Sequence, residues 1–255
     1  MLNNILRLAL ILNFIFIAPT KVLSASNDVE LMQQKWPFNG IFGRFDESSL
    51  QRGFQVYREV CSACHGIRHV SYRDLKGIGY SNDEIKVIAA DYEVMDGPDD
   101  NGEMFDREGR PSDKFVGPYE NDKVARLANN GAYPPDLSLI VKARAGGADY
   151  IYSLLNGYKE FPENFEASEG MYYNEYYPGH QIAMPSILMD DIVEYSDGTE
   201  ATQSQIAKDV TSFLAWTAEP ELEERKSLGV KTLFFLILIT IMLLGVKRKV
   251  WKDVE

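Results

Sequence analysis

The sequence predicts a mainly α-helical domain with long loops, followed by one C-terminal transmembrane helix, and three observations predict it. Apolar residues recur at helical spacing over Leu50, Phe54, Tyr57 and Cys61, and again over Ile206, Val210, Phe213, Leu214 and Thr217. Between those stretches, turn signals built from proline, glycine and asparagine interrupt short helical patterns. Close to the C-terminus, every residue from Thr232 to Val246 is uncharged.

The chain begins with a short polar start containing Arg7, then an apolar stretch from Leu8 to Ala18 broken by Asn13, then small residues at Ser24-Ala25-Ser26. This layout predicts a secretory signal peptide over 1–25, because the apolar stretch is short for a bilayer span and small residues suit cleavage. The folded body is expected over 26–225, outside the cytoplasm.

Acidic and hydroxyl residues at Asp46-Glu47-Ser48-Ser49 suit a helix start, and the apolar spacing that follows predicts an amphipathic helix running into Cys61. That helix delivers Cys61-Ser62-Ala63-Cys64-His65. Cysteines three apart lie on one face of a helical turn, so both can bond one edge of a porphyrin, and the adjacent histidine can turn its imidazole onto the iron. C-x-x-C-H therefore reads as attachment of one covalent haem c, with Cys61 and Cys64 as thioether positions and His65 as an axial ligand. A thioredoxin-like pair would follow a strand rather than a helix. A zinc site would need two further ligands, yet the chain holds 2 cysteines and 3 histidines, the others being His69 and His180. With only that cysteine pair, no disulfide framework holds the fold together.

From Asp91 to Glu108 acidic residues face a single Arg107, with Gly97-Pro98 and Asn101-Gly102 as turn signals, so an exposed acidic loop is expected. The whole chain carries a net charge of -12 although its tail is basic, which argues against nucleic acid as a partner and suits either a solvated surface or a basic protein partner.

A second axial ligand decides between electron transfer and ligand chemistry, and methionine suits an electron carrier by raising the potential. The candidates are Met32, Met95, Met104, Met171, Met184 and Met189. Met184 stands in Tyr177-Pro178-Gly179-His180-Gln181-Ile182-Ala183-Met184-Pro185, where a loop can present a thioether at a fixed angle. His180 is the rival, giving a bis-histidine iron of lower potential. The aromatic cluster from Tyr172 to Tyr177 could shield a haem edge or pack a long loop.

A helix through Ile206, Val210, Phe213, Leu214 and Thr217 is expected to start behind a cap at Thr199 and to cross the helix bearing Leu50, Phe54 and Tyr57. Pro220 marks a bend before the anchor. The apolar run Leu228–Val246, with only Lys231 to snorkel, reaches nearly across a bilayer at about 1.5 Å per residue. The expected anchor is 226–247, and the basic flank Lys247-Arg248-Lys249 with Trp251 places a short tail, 248–255, in the cytoplasm. Both ends thus predict a single-pass protein of the bacterial inner membrane with its body on the periplasmic side.

Several longer stretches match a known family. Besides the haem motif, they are Ala128-Asn129-Asn130-Gly131-Ala132-Tyr133-Pro134-Pro135-Asp136-Leu137-Ser138, Lys142-Ala143-Arg144-Ala145-Gly146-Gly147-Ala148-Asp149-Tyr150, Tyr176-Tyr177-Pro178-Gly179 with Ile182-Ala183-Met184-Pro185, and Asp209 to Pro220 ahead of a C-terminal span. Over nearly the whole mature chain the sequence resembles the cytochrome c1 family, the haem subunits of bc1 complexes. The resemblance implies a cytochrome c-type haem domain, Met184 as sixth ligand, Pro135 packed by the haem, and Arg144 and Tyr150 near the propionates. It implies an electron taken from a Rieske iron-sulfur protein and passed to a soluble c-type cytochrome, cytochrome b completing the complex. It also implies no general acid, base or nucleophile. Met184-Pro185-Ser186 departs from the family form, which has small residues on both sides of the methionine. A tail-anchored carrier outside any bc1 assembly and a haem sensor with an open iron face are the alternative readings.

Overall fold

The computed structural model describes residues 29–163 and 165–252. The expected signal peptide and the last residues of the tail lie outside them. In chain order the elements are α1 (Glu47–Glu59), 3-10 turns at Cys61–Ala63 and Tyr72–Ile78, α2 (Asn82–Ala90), β1 (Glu93–Asp96), β2 (Phe105–Glu108), α3 (Asp122–Ala128) and α4 (Ile140–Ala143). They continue with α5 (Gly147–Asn156), β3 (Tyr172–Tyr173), β4 (Gln181–Ile182), α6 (Gln203–Ala218) and α7 (Leu222–Val250). The fold is mainly helical.

α1 begins because Asp46, in extended backbone, accepts the Ser48 N–H at 3.1 Å and satisfies one of the free donors of the first turn. Its buried face, Leu50, Gly53, Phe54, Val56 and Tyr57, lies against α6. The expected crossing partner is therefore found, with the Phe54 and Tyr57 rings 5.5 Å and 5.8 Å from Phe213. The approach is close at Gly53, where a Cβ would fall 2.1 Å from the Asp209 carbonyl oxygen. Only the smallest residue lets the two backbones meet there.

The same contact buries an ion pair. Asp209 is fully buried, and its carboxylate accepts from Ser49 Oγ at 2.6 Å, Arg52 Nε at 2.8 Å and Gln205 Nε2 at 2.9 Å. Asp197 accepts a further bond from Arg52 at 2.7 Å. α4 and α5 pack on other parts of α6, so α6 is the hub of the domain. The N-terminal segment straps onto α5: Gln34 N–H and Trp36 Nε1 both donate to Asp149 Oδ1, at 3.0 Å and 2.7 Å.

Two expectations need correction. The cap of α6 is Thr202, whose hydroxyl accepts from Gln205 N–H at 3.2 Å. Thr199 instead donates its N–H to Asp197 Oδ1 at 2.9 Å, an Asx turn that stops the helix from starting there. The acidic 91–108 segment is exposed but not an irregular loop, since β1 and β2 pair antiparallel with Glu93 opposite Glu108 and Asp96 opposite Phe105. Arg107 ties it together by binding Asp96 and, at 2.6 Å, Asp113.

α7 starts four residues before the expected anchor and is long and apolar enough to cross a membrane. Leu222 is buried, and every described residue beyond Lys226 is exposed within the chain. A helix of that composition with no protein covering it matches a lipid-facing span.

Candidate haem site

α1 ends by handing the chain to the motif. Val60 N–H closes on Val56 O at 2.9 Å, the 3-10 turn Cys61–Ala63 follows, and Cys64 and His65 N–H both donate to Cys61 O, at 3.1 Å and 2.9 Å. The two cysteines thus share one turn, Cys61 buried and Cys64 exposed. Burial pushes the Cys61 thiol up to about 12.

His65 is 9% exposed, and its Nδ1 lies 2.7 Å from the Pro135 carbonyl oxygen. A carbonyl only accepts, so Nδ1 carries the proton and Nε2 keeps its lone pair. Burial lowers the imidazole pKa, reinforcing the neutral form. Pro135, expected as a packing side chain, thus orients the ring through its backbone oxygen, a role that proline's side chain gives no sign of.

That oxygen is held in place by a residue for which the sequence suggested no role. Asp136 accepts from Ser138 N–H and Arg68 N–H, both at 2.9 Å. Leu137 N–H donates to Gly66 O at 2.8 Å, and Thr217 Oγ1 on α6 donates to Ser138 O at 3.2 Å. The Pro-Asp pair ahead of Ser138 is an Asx-turn signal that could have flagged Asp136.

A second group of predicted residues gathers elsewhere. Met184 is half-buried, whereas Met32, Met95, Met104, Met171 and Met189 are all exposed. Its carbonyl accepts from the Tyr158 hydroxyl at 3.0 Å. Burial raises the pKa of both Tyr158 and Tyr150, and the Arg144 guanidinium partly offsets the effect at Tyr150. Arg144 is exposed, gives one N–H to Ala143 O at 3.2 Å, and has no carboxylate partner among the described residues. Among the described residues no hydrogen bond or ion pair joins this group to the His65 group.

His180 has a different setting. It occupies the left-handed region at φ 58°, its ring stacks on Tyr173 with centroids 5.7 Å apart, and Nδ1 lies 3.3 Å from Asn174 O. Buried Asn174 organises the aromatic segment, donating to Leu154 O at 2.8 Å and accepting from Tyr176 N–H at 3.0 Å. Tyr173 packs against Phe161 and Phe165, so that part of the cluster packs its own loop.

The Cytochrome C1 family matches residues 36–254. Cytochrome c1 of Rhodospirillum rubrum is 51% identical over 243 residues, covering 89% of each chain. Cytochrome c1, heme protein, of Saccharomyces cerevisiae mitochondria is 51% identical, covering 86% of this chain and 72% of its own. The mitochondrial cytochrome b-c1 complex catalytic subunit of Candida albicans is 52% identical, covering 86% of this chain and 77% of its own. A haem motif built on one turn, a C-terminal apolar helix and these relatives together show that the chain belongs to the cytochrome c1 family.

Proposed function

We propose that the chain is a membrane-anchored monohaem c-type cytochrome, the electron-transfer subunit of a quinol–cytochrome c reductase. Cys61 and Cys64 would hold one haem c by thioethers, and His65 and Met184 would ligate its iron. The bound group supplies a one-electron ferrous/ferric couple. The observation that carries the reading is the His65–Pro135 bond at 2.7 Å, which aims a neutral imidazole with a free Nε2 from the same turn that bears both cysteines.

The chain's own residues bind, orient and shield. Pro135 and Asp136 fix the His65 ring, and the Tyr57 hydroxyl donates to His65 O at 3.1 Å. Met184 is favoured as the sixth ligand by its partial burial, while His180 is engaged by Asn174 and Tyr173. Arg144, with unused donors beside buried Tyr150, suits a propionate through paired hydrogen bonds. No residue acts as general acid, base or nucleophile.

The electron donor is a Rieske iron-sulfur protein, the acceptor a soluble c-type cytochrome, and cytochrome b completes the complex. The exposed hairpin residues Asp100, Glu103 and Asp106, outside every ion pair among the described residues, suit steering of a basic acceptor. A signal peptide over 1–25 and a span near 226–247, read from the sequence, support a haem domain on the periplasmic side of the inner membrane and a cytoplasmic C-terminus. Purification of the tagged chain from its own membranes tests the reading. Expected are co-purifying b-type haem and an iron-sulfur subunit, and haem c reduction by quinol. A chain that purifies alone and ignores quinol would overturn it.

A further inference from the structure

A short loop folds back onto the first turns of α7. Arg44 N–H donates to Pro37 O at 3.0 Å, and Lys226 on α7 donates from Nζ to Phe38 O at 2.6 Å and Gly43 O at 3.2 Å. Glu223, nearly one turn earlier, accepts from Phe45 N–H at 2.9 Å. Gly40 sits at φ +77°, and a Cβ on Gly43 would fall 2.0 Å from Asn39 O. The loop is therefore a tight turn fixed to the helix at both ends.

Its tip contradicts ordinary folding logic. Phe38 and Phe45 turn inward and pack with rings 4.9 Å apart, whereas Ile41 and Phe42 are 67% and 83% exposed. A single exposed apolar side chain is unremarkable, but these two are adjacent and line one groove with Val230 and Lys231 of α7. Lys226 to Lys231 spans about 7.5 Å of helix rise, and the uncharged run begins at the next residue, Thr232. The tip thus stands level with the start of the apolar span. In the same groove Arg44 lies 3.9 Å from Glu223, and Lys231, outside every ion pair among the described residues, is a cation suited to lipid phosphates at that level.

We propose that Ile41 and Phe42 form a second membrane contact, dipping into the headgroup–acyl boundary of the bilayer that α7 spans. The occupant is lipid because the patch is continuous with the span and rimmed by cations. The proposal rests on reading α7 as a membrane helix. α1 follows the loop within a few residues, so a second contact restrains the swing of the haem domain about its single anchor.

The test is a nitroxide at Phe42→Cys in the full chain, within its membrane complex, reconstituted in phosphatidylcholine–phosphatidylglycerol vesicles. The unsubstituted complex gives the label background. Collision of the nitroxide with oxygen, which concentrates in hydrocarbon, is compared with collision with a water-soluble nickel chelate. Val87→Cys, on the exposed face of α2, is the aqueous reference and Leu238→Cys the span reference. The expected oxygen-to-nickel ratio at position 42 is severalfold above that at 87 and on the side of 238. A ratio equal to that at 87, with 238 lipid-like, places the tip in water and overturns the proposal alone. A label at 42 hidden from both reagents means another protein subunit covers the tip, which also overturns it. A water-like value at 238 removes the span and the proposal together. If Phe42→Cys fails to accumulate, Ile41→Cys takes its place with the same outcomes.

Discussion

Asp209→Ala strikes the junction that positions the haem motif. The carboxylate is fully buried between α1 and α6 and takes charged bonds from Arg52 and neutral ones from Ser49 and Gln205. Removing it leaves the Arg52 guanidinium, whose side chain is 14% exposed, with surface Asp197 as its one carboxylate partner among the described residues, beside the Tyr195 ring. Breaking a buried pair from one side costs about 3–5 kcal/mol, against a typical total of about 5–15 kcal/mol. Asp209→Asn keeps the shape but loses the charge and one acceptor, and should cost about 2–3 kcal/mol. Replacing both partners by apolar residues, Arg52→Met with Asp209→Leu, leaves no orphaned charge and should cost less than Asp209→Ala alone. Guanidinium unfolding of the detergent-solubilised holoprotein, followed by far-UV circular dichroism, measures all three. A loss below about 1 kcal/mol for Asp209→Ala, or a double variant worse than the single one, would mean that the buried pair does not hold α1 on α6.

Gly53→Ala should cost about 1–3 kcal/mol by forcing α1 from α6, seen as a lower melting temperature, since its Cβ has 2.1 Å where it needs ordinary contact. Acid should weaken the domain: bonds from Thr199 N–H and Arg52 depress Asp197 to about 2, and Arg107 depresses Asp96 and Asp113. A depressed carboxylate stabilises above its unfolded pKa and loses that stabilisation as pH falls through the folded one. Urea midpoints should therefore drop from about pH 4 toward pH 2, and less steeply in high salt because Asp197 is exposed and Asp96 partly so. Neutralising Asp100, Glu103 and Asp106 to Asn, Gln and Asn should slow reduction of a basic soluble cytochrome c at low ionic strength. Stopped-flow rates for variant and parent should converge as salt is raised.

What the sequence revealed followed from local pattern. Helical spacing placed α1 and α6 against each other, and an uncharged run ended by basic residues marked α7. The turn shared by Cys61, Cys64 and His65 was legible because the motif lies within five consecutive residues. Long-range partners were not. The sequence does not say that the Pro135 carbonyl would meet a ring 70 residues away, or that Arg52 would reach Asp209 across the core. Thr199 and Thr202 are equally good caps by type, and only Asp197 beside Thr199 separates them. The acidic hairpin escaped notice because charges fill its strands and hide the alternation that marks a half-buried sheet.

The proposed electron transfer depends on His65 and Met184 both ligating one haem iron. The most direct measurement is the near-infrared spectrum of the ferric holoprotein, taken with its reduction potential, beside Met184→Leu. Expected are a weak methionine-sulfur band in the parent, its loss in the variant and a fall in potential. A variant that keeps both the band and the potential would contradict it.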